Sequence, residues 1–305
     1  MVKRHERNGV IWVDMEAPTR EELRAVMNEF DIGERVEEEI VSPTPYPLVL
    51  CSPAYTYLIL HFPTSNPQGG AKNQEVDFIV GKNFLITARY EVIDAIHSLH
   101  RVFEAEEMLD LPARKHGAHH LIERVLRHLY GAIRDQAEQT ARAMDRIEEE
   151  IFAGKEREMV YTISLVGRVL LRFDTTLARH QEPLKAFLED LGSPTLFGKT
   201  FHTHATHIQA EHDHTRALVG TYRAVLAELR NTNESLLSAS QNEIVKRLTI
   251  MSFFALPLTV IASIFGMNND HLPFVDSPYF IWAFLLITGL LILSLLVYFK
   301  HRKWF

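Results

Sequence analysis

The chain has 305 residues, of which 47% are apolar, and a formal net charge of −7. Its one cysteine, Cys51, excludes an intrachain disulfide and a thiolate metal site built from a single chain, and it suits a reducing cytoplasm. The acidic balance argues against a nucleic-acid partner.

Residues 1–7 have no apolar core and do not read as a signal peptide. Phe78-Ile79-Val80 and Phe84-Leu85-Ile86 are β-rich runs, and Gly81-Lys82-Asn83 between them is turn chemistry. They predict a hairpin inside a mixed α/β domain over residues 1–115. Residues 116–200 predict two long antiparallel helices, with a turn near Ala153-Gly154-Lys155 and a break around Pro194. From residue 203 to 268 the only proline is Pro257, and Gly220 is the only glycine before Gly266. Leu218, Tyr222, Val225, Leu229 and Leu236 form an apolar stripe there. One helix of about 65 residues would reach roughly 95 Å.

Charges nearly vanish after residue 247. Residues 248–269 and 280–299 carry no charge, and at about 1.5 Å per residue each can cross a hydrocarbon core. Lys246 and Arg247 precede the first span, and Lys300, His301, Arg302 and Lys303 follow the second. Positive flanks stay inside, so both termini are expected in the cytoplasm and the 269–279 loop outside. Tyr279, Trp282, Tyr298 and Trp304 stand near the span ends, where amphipathic rings prefer the interface.

The first span is not uniformly apolar. Asn242, Val245, Leu248, Ser252, Leu256, Thr259 and Ser263 recur every three or four residues and share one helical face. Such a face serves a pore or a helix contact, and lipid has no use for it.

The stretch Asn242-Glu243-Ile244-Val245-Lys246-Arg247-Leu248-Thr249-Ile250 runs through Leu256-Pro257-Leu258 into Ser263-Ile264-Phe265-Gly266-Met267-Asn268. With the tail Lys300-His301-Arg302-Lys303-Trp304, it resembles the CorA family of magnesium channels over about the last 75 residues. Trp12-Val13-Asp14, Pro18-Thr19-Arg20-Glu21-Glu22 and the 76–87 strand pair are similar to the family's opening strand, capped helix and hairpin. The resemblance implies an α+β cytoplasmic domain of α/β/α layers over 1–115. A helix pair (116–200), a stalk helix (201–247), a pore-lining span (248–268) and a second span (280–299) follow, then a basic tail (300–305). It implies a funnel-shaped homopentamer in the cell (inner) membrane that passes Mg2+, and also Co2+ and Ni2+, with no enzymatic reaction. Gly266, Met267 and Asn268 would be the selectivity filter, with the Asn268 amide oxygen accepting from the waters that Mg2+ holds tightly. Val245, Leu248 and Leu256 would form apolar constrictions that close by dewetting. Ser252, Thr259 and Ser263 would hydrate the ion between them, and Asn242 would mark the cytoplasmic end.

The sequence departs from the family pattern in the outer loop. Asp270 keeps one acid there, Phe274 lacks the second, and Asp276 is placed to substitute for attracting cations. Val245 and Leu256 stand where methionine is common, and Ala210, beside Glu211, where a magnesium-sensing acid is expected. His204, His207, Glu211 and His214 share one helical face among further polar neighbours, His202, His212 and Asp213. A solvated polar face is the simpler reading, and a regulatory site for zinc, cobalt or nickel as well as for Mg2+, the family's regulatory ion, the sharper one. His116, His119 and His120 with Glu123 form a sparser group of the same kind. No zinc-protease, nucleotide-loop or nucleophile motif is present. Two further readings stand: a zinc transporter of the related ZntB type, and a membrane-tethered metal sensor that does not conduct.

Overall fold

The computed structural model describes residues 1–7, 9–63, 73–109, 117–266 and 279–301. The chain forms two compact units, Met1–Arg230 and Asn231–Phe305.

The first unit opens with strands β1 (Val2–Arg7) and β2 (Val10–Glu16). Helices α1 (Arg20–Glu29) and α2 (Glu34–Val41) follow. The start of α1 is fixed by a capping box, in which the Thr19 hydroxyl accepts from the Glu22 amide and the Glu22 carboxylate accepts from the Thr19 amide. Strands β3 (Leu48–Cys51), β4 (Tyr55–Pro63), β5 (Asn73–Gly81) and β6 (Phe84–Arg89) complete one six-stranded sheet of order β1-β2-β6-β5-β4-β3. All neighbours are antiparallel except β2 and β6, which run parallel with Trp12 opposite Leu85. The expected hairpin is β5–β6, with Val80 opposite Leu85 across the Gly81-Lys82-Asn83 turn.

Side chains alternate between the sheet faces. Tyr57, Ile59, Ile79 and Ile86 point to Leu23, Val26 and Met27 of α1 and to Val36 and Ile40 of α2. Leu58, Leu60, Phe62, Phe78 and Leu85 have the opposite parity and are equally buried. They face helices α4 (Ala118–Phe152) and α5 (Glu156–Leu191), and the Phe62 ring lies 5.8 Å from Tyr130 and 5.2 Å from His180. Helices thus cover both faces of the sheet, which is why β4, β5 and β6 read as continuous apolar runs rather than alternating ones. Each such fully buried side chain contributes about 1.5–3 kcal/mol. The turn between α4 and α5 uses Gly154 at φ 85°, where a Cβ would be strained.

Two buried polar groupings tie the layers together. Asp14 accepts hydrogen bonds from the Thr87 hydroxyl (2.6 Å), the Arg89 guanidinium (2.9 Å) and His100 Nε2 (2.8 Å) on α3 (Asp94–Met108). Burial works to raise the Asp14 carboxyl, but its bonds to His100, Arg89 and Thr87 outweigh this and hold it at about 2. On α5, His180 Nε2 donates to the His61 carbonyl of β4 at 2.9 Å, while Nδ1 accepts from the Tyr130 hydroxyl of α4 at 3.2 Å. That pair of bonds needs the neutral ring.

A short 3-10 turn (Gly198–Phe201) leads into α6 (His202–Gly266), which continues into the second unit. The second unit holds the remainder of α6 and helix α7 (Phe280–His301).

Candidate functional site

Within the second unit, Phe299 of α7 is 4% exposed and sits 5.7 Å from Phe253 and 6.4 Å from Phe254 of α6, ring to ring. Ile250 is buried, and Phe254, Pro257 and Ile261 are half-buried. At about 100° per residue these four share one face of α6. Val245, Leu248, Ser252, Leu256, Thr259 and Ser263 fall on the opposite face, with Asn242 at its edge, and all seven are exposed. The apolar members are open to an extent that water would punish: Val245 is 61% exposed, and Leu248 and Leu256 are 63% exposed. The structure therefore gathers the seven residues singled out by periodicity on one side of α6 and leaves that side uncovered by the chain's own α7.

The hydroxyls on this face are committed in one sense. Ser252 Oγ donates to the Leu248 carbonyl at 2.9 Å, and Thr259 Oγ1 to the Ala255 carbonyl at 2.8 Å. With its proton spent on the helix backbone, each oxygen presents only lone pairs outward. Such a surface accepts hydrogen bonds and suits the outward-pointing protons of a hydrated cation.

Of the filter residues, Gly266 is the last residue of α6. Met267 and Asn268, and the loop acids Asp270 and Asp276, lie outside the described residues.

The histidine-rich part of α6 belongs to the first unit. His204 Nδ1 donates to Glu123 Oε2 at 2.5 Å, and His207 Nδ1 to Glu123 Oε1 at 2.9 Å. Burial raises the Glu123 carboxyl, yet the two imidazole bonds prevail and keep it below its usual range. Glu211 is engaged elsewhere: Arg134 donates to its Oε1, and Arg127 Nε stands 4.0 Å from its Oε2. His214 is exposed. The structure thus brings His204 and His207 together on Glu123 of α4, while Glu211 is held by arginines of that same helix. Helical spacing placed Glu211 with the imidazoles. It had no means of pairing His204 with Glu123, which the sequence groups with His119 and His120 and which lies 81 residues away.

Among the described residues, α6 is long and apolar enough to cross a membrane, and α7 contains the shorter apolar stretch Leu285–Phe299. A large unit with its own sheet core is thus followed by exposed apolar helix of a length suited to a bilayer, the make-up of a membrane transporter with a substantial folded part outside the lipid. The family model of the CorA-like Mg2+ transporter protein matches residues 7–301, and the chain belongs to this family. The cobalt/magnesium transport protein CorA of Thermotoga maritima is 24% identical over 298 residues, covering 96% of this chain and 83% of that protein. The complete structure of the CorA magnesium transporter from Methanocaldococcus jannaschii superposes with a TM-score of 0.82 at 20% identity, over 97% of this chain and 92% of that one. The cytoplasmic domain of ZntB from Vibrio parahaemolyticus is similar to 75% of this chain, over 88% of its own length, with a TM-score of 0.58 at 14% identity. At these identities the structural likenesses speak for the fold alone.

Proposed function

We propose that the chain conducts hydrated Mg2+, and with it Co2+ and Ni2+, into the cell through a pore surrounded by five copies. The observation that carries this is the uncovered face of α6. Its aliphatic side chains are interspersed with the acceptor-only hydroxyls of Ser252 and Thr259, and it lies opposite the face that α7 covers. Two spans cannot enclose a path, so that face needs further copies around a shared axis. Asn268, which follows α6 in the sequence, would accept from the ion's waters, which avoids the cost of stripping a tightly held shell. The carbonyls of Gly266 and Met267 would add acceptors. Asp270 and Asp276 would raise the local cation concentration at the outer mouth. Val245, Leu248 and Leu256 would close the path by dewetting, and Ser252, Thr259 and Ser263 would carry the ion between them. Basic flanks favour both termini in the cytoplasm, and an inside-negative membrane potential would drive cation influx. The relatives named for magnesium and cobalt transport, and methionine in the Gly-Met-Asn filter, favour this cargo over zinc.

The face can be tested directly because Cys51 is the only cysteine. In a Cys51→Ala background, Ser252→Cys and Thr259→Cys should react with a small hydrophilic thiol reagent and lose Mg2+ flux in proteoliposomes, while Phe254→Cys should not. Protection of both pore-face cysteines, with Phe254→Cys reacting instead, would place the water path elsewhere.

A further inference from the structure

Two consecutive histidines begin α4, and one from the first turn of α6 meets them. One ring nitrogen from each of His119, His120 and His204 lies within 4.8 Å of the other two, and all three residues are half-buried. The ring centroids are 4.6 Å apart for His119–His120, 4.8 Å for His119–His204 and 4.3 Å for His120–His204. Tetrahedral zinc with nitrogen ligands needs nitrogen separations of about 3.3 Å, which modest side-chain rotation from this starting point supplies. Phe197 and Phe201 stand beside the group at 5.3 Å from His119 and 6.1 Å from His204, and give it a partly apolar wall.

The arrangement around His204 is what separates this group from a chance cluster. Its Nδ1 is committed to the carboxylate of Glu123, which is itself buried to 9% exposure. That bond fixes the tautomer and leaves the lone pair on Nε2. A carboxylate behind an imidazole is the usual outer support of a metal-bound histidine, orienting the ring and raising its basicity. The second oxygen of Glu123 is occupied by His207 and, at 3.4 Å, by the Arg127 guanidinium, so the carboxylate acts from behind His204 rather than as a ligand. It also supplies negative charge where the α4 N-terminus would otherwise disfavour a cation.

We propose that His119, His120 and His204, with Glu123 positioning His204, form a binding site within one chain for a transition dication of the zinc, cobalt or nickel class. An all-imidazole set suits these ions, whereas Mg2+ demands oxygen ligands, so the site discriminates against the ion proposed for the pore. All four residues belong to the first compact unit, and the site joins the beginning of α4 to that of α6. It stands independently of the transport reading.

The test uses the full chain in detergent after chelator treatment. Cobalt titration followed by visible absorption should show roughly one ion per chain with the intense d–d bands of low coordination number. Zn2+ should displace it, and a large excess of Mg2+ should not. His120→Ala and His204→Ala should each abolish those bands. Glu123→Gln should keep their shape but weaken binding about 10–100-fold, as expected for an outer support. Added Zn2+ should raise the melting temperature of the wild type and leave that of His204→Ala unchanged, which also verifies that the variant is folded. Bands of octahedral intensity only, cobalt displaced by Mg2+, or bands that persist in folded His120→Ala and His204→Ala would overturn the proposal.

Discussion

Acidification of the first unit should act through His180. The ring is buried to 0% exposure, and burial, reinforced by the nearby His212 and His61, lowers its pKa from 6.5 to about 3, although the bond to the His61 carbonyl works the other way. A depressed pKa means that the unfolded chain binds a proton here before the folded one does. Stability is therefore fully present above 6.5 and is lost as pH falls from 6.5 toward 3. At about 1.36 kcal/mol per pH unit, the loss at pH 5 is about 2 kcal/mol. For a unit of this size that corresponds to about 4–8 °C in melting temperature. Asp77 acts in the opposite sense, because burial and the neighbouring Glu75 raise its carboxyl, so the wild-type profile alone does not isolate His180. The comparison is therefore with His180→Gln, whose amide keeps a donor for the His61 carbonyl but does not titrate. Scanning fluorimetry of both proteins in detergent at pH 7 and pH 5 gives the difference. The wild type should lose about 4–8 °C more than the variant. Parallel losses would refute a neutral, buried His180 as the source of acid sensitivity.

Three further outcomes follow from the geometry. Arg89→Leu leaves Asp14 buried without its guanidinium and should cost about 3–5 kcal/mol, read as a large drop in melting temperature; a shift under 1 °C would contradict the buried charge pair. Leu248→Asn places a hydrated group on the proposed constriction and should raise closed-state leak at least about tenfold in bilayer recordings, and an unchanged leak would remove the gate from that position. Thr19→Ala removes the capping box of α1 and should cost about 1 kcal/mol, measured as a small loss in melting temperature with flux intact.

Much of the fold was legible where local chemistry decides it. The β5–β6 hairpin followed from Gly81-Lys82-Asn83, the α4–α5 turn from Gly154, and α6 from a long run without helix breakers, while the capped start of α1 at Thr19 came with the family resemblance. What depends on tertiary partners was not legible. The parallel pairing of β2 with β6 joins residues about 70 positions apart, and nothing local announces it. Edge strand β3 is four residues long and carries little pattern of its own. For the ion path, periodicity identified the polar-apolar face of α6, but only the packing of Phe299 shows that α7 covers the other side. In the histidine region, period 3.6 grouped residues along one helix, whereas the contacts that matter run between α6 and α4 through Glu123.

The proposed function stands on hydrated Mg2+ crossing the membrane past Asn268. The most direct measurement is flux into proteoliposomes containing the purified chain and a magnesium-sensitive dye, under an inside-negative potential, with Co2+, Ni2+ and Zn2+ then offered one at a time. The wild type should take up Mg2+, with weaker or comparable uptake of Co2+ and Ni2+, and Asn268→Ala that still assembles as the wild type does should lose Mg2+ uptake by at least about tenfold. Wild-type Mg2+ uptake in assembled Asn268→Ala, or a wild type that passes Zn2+ but not Mg2+, would contradict it.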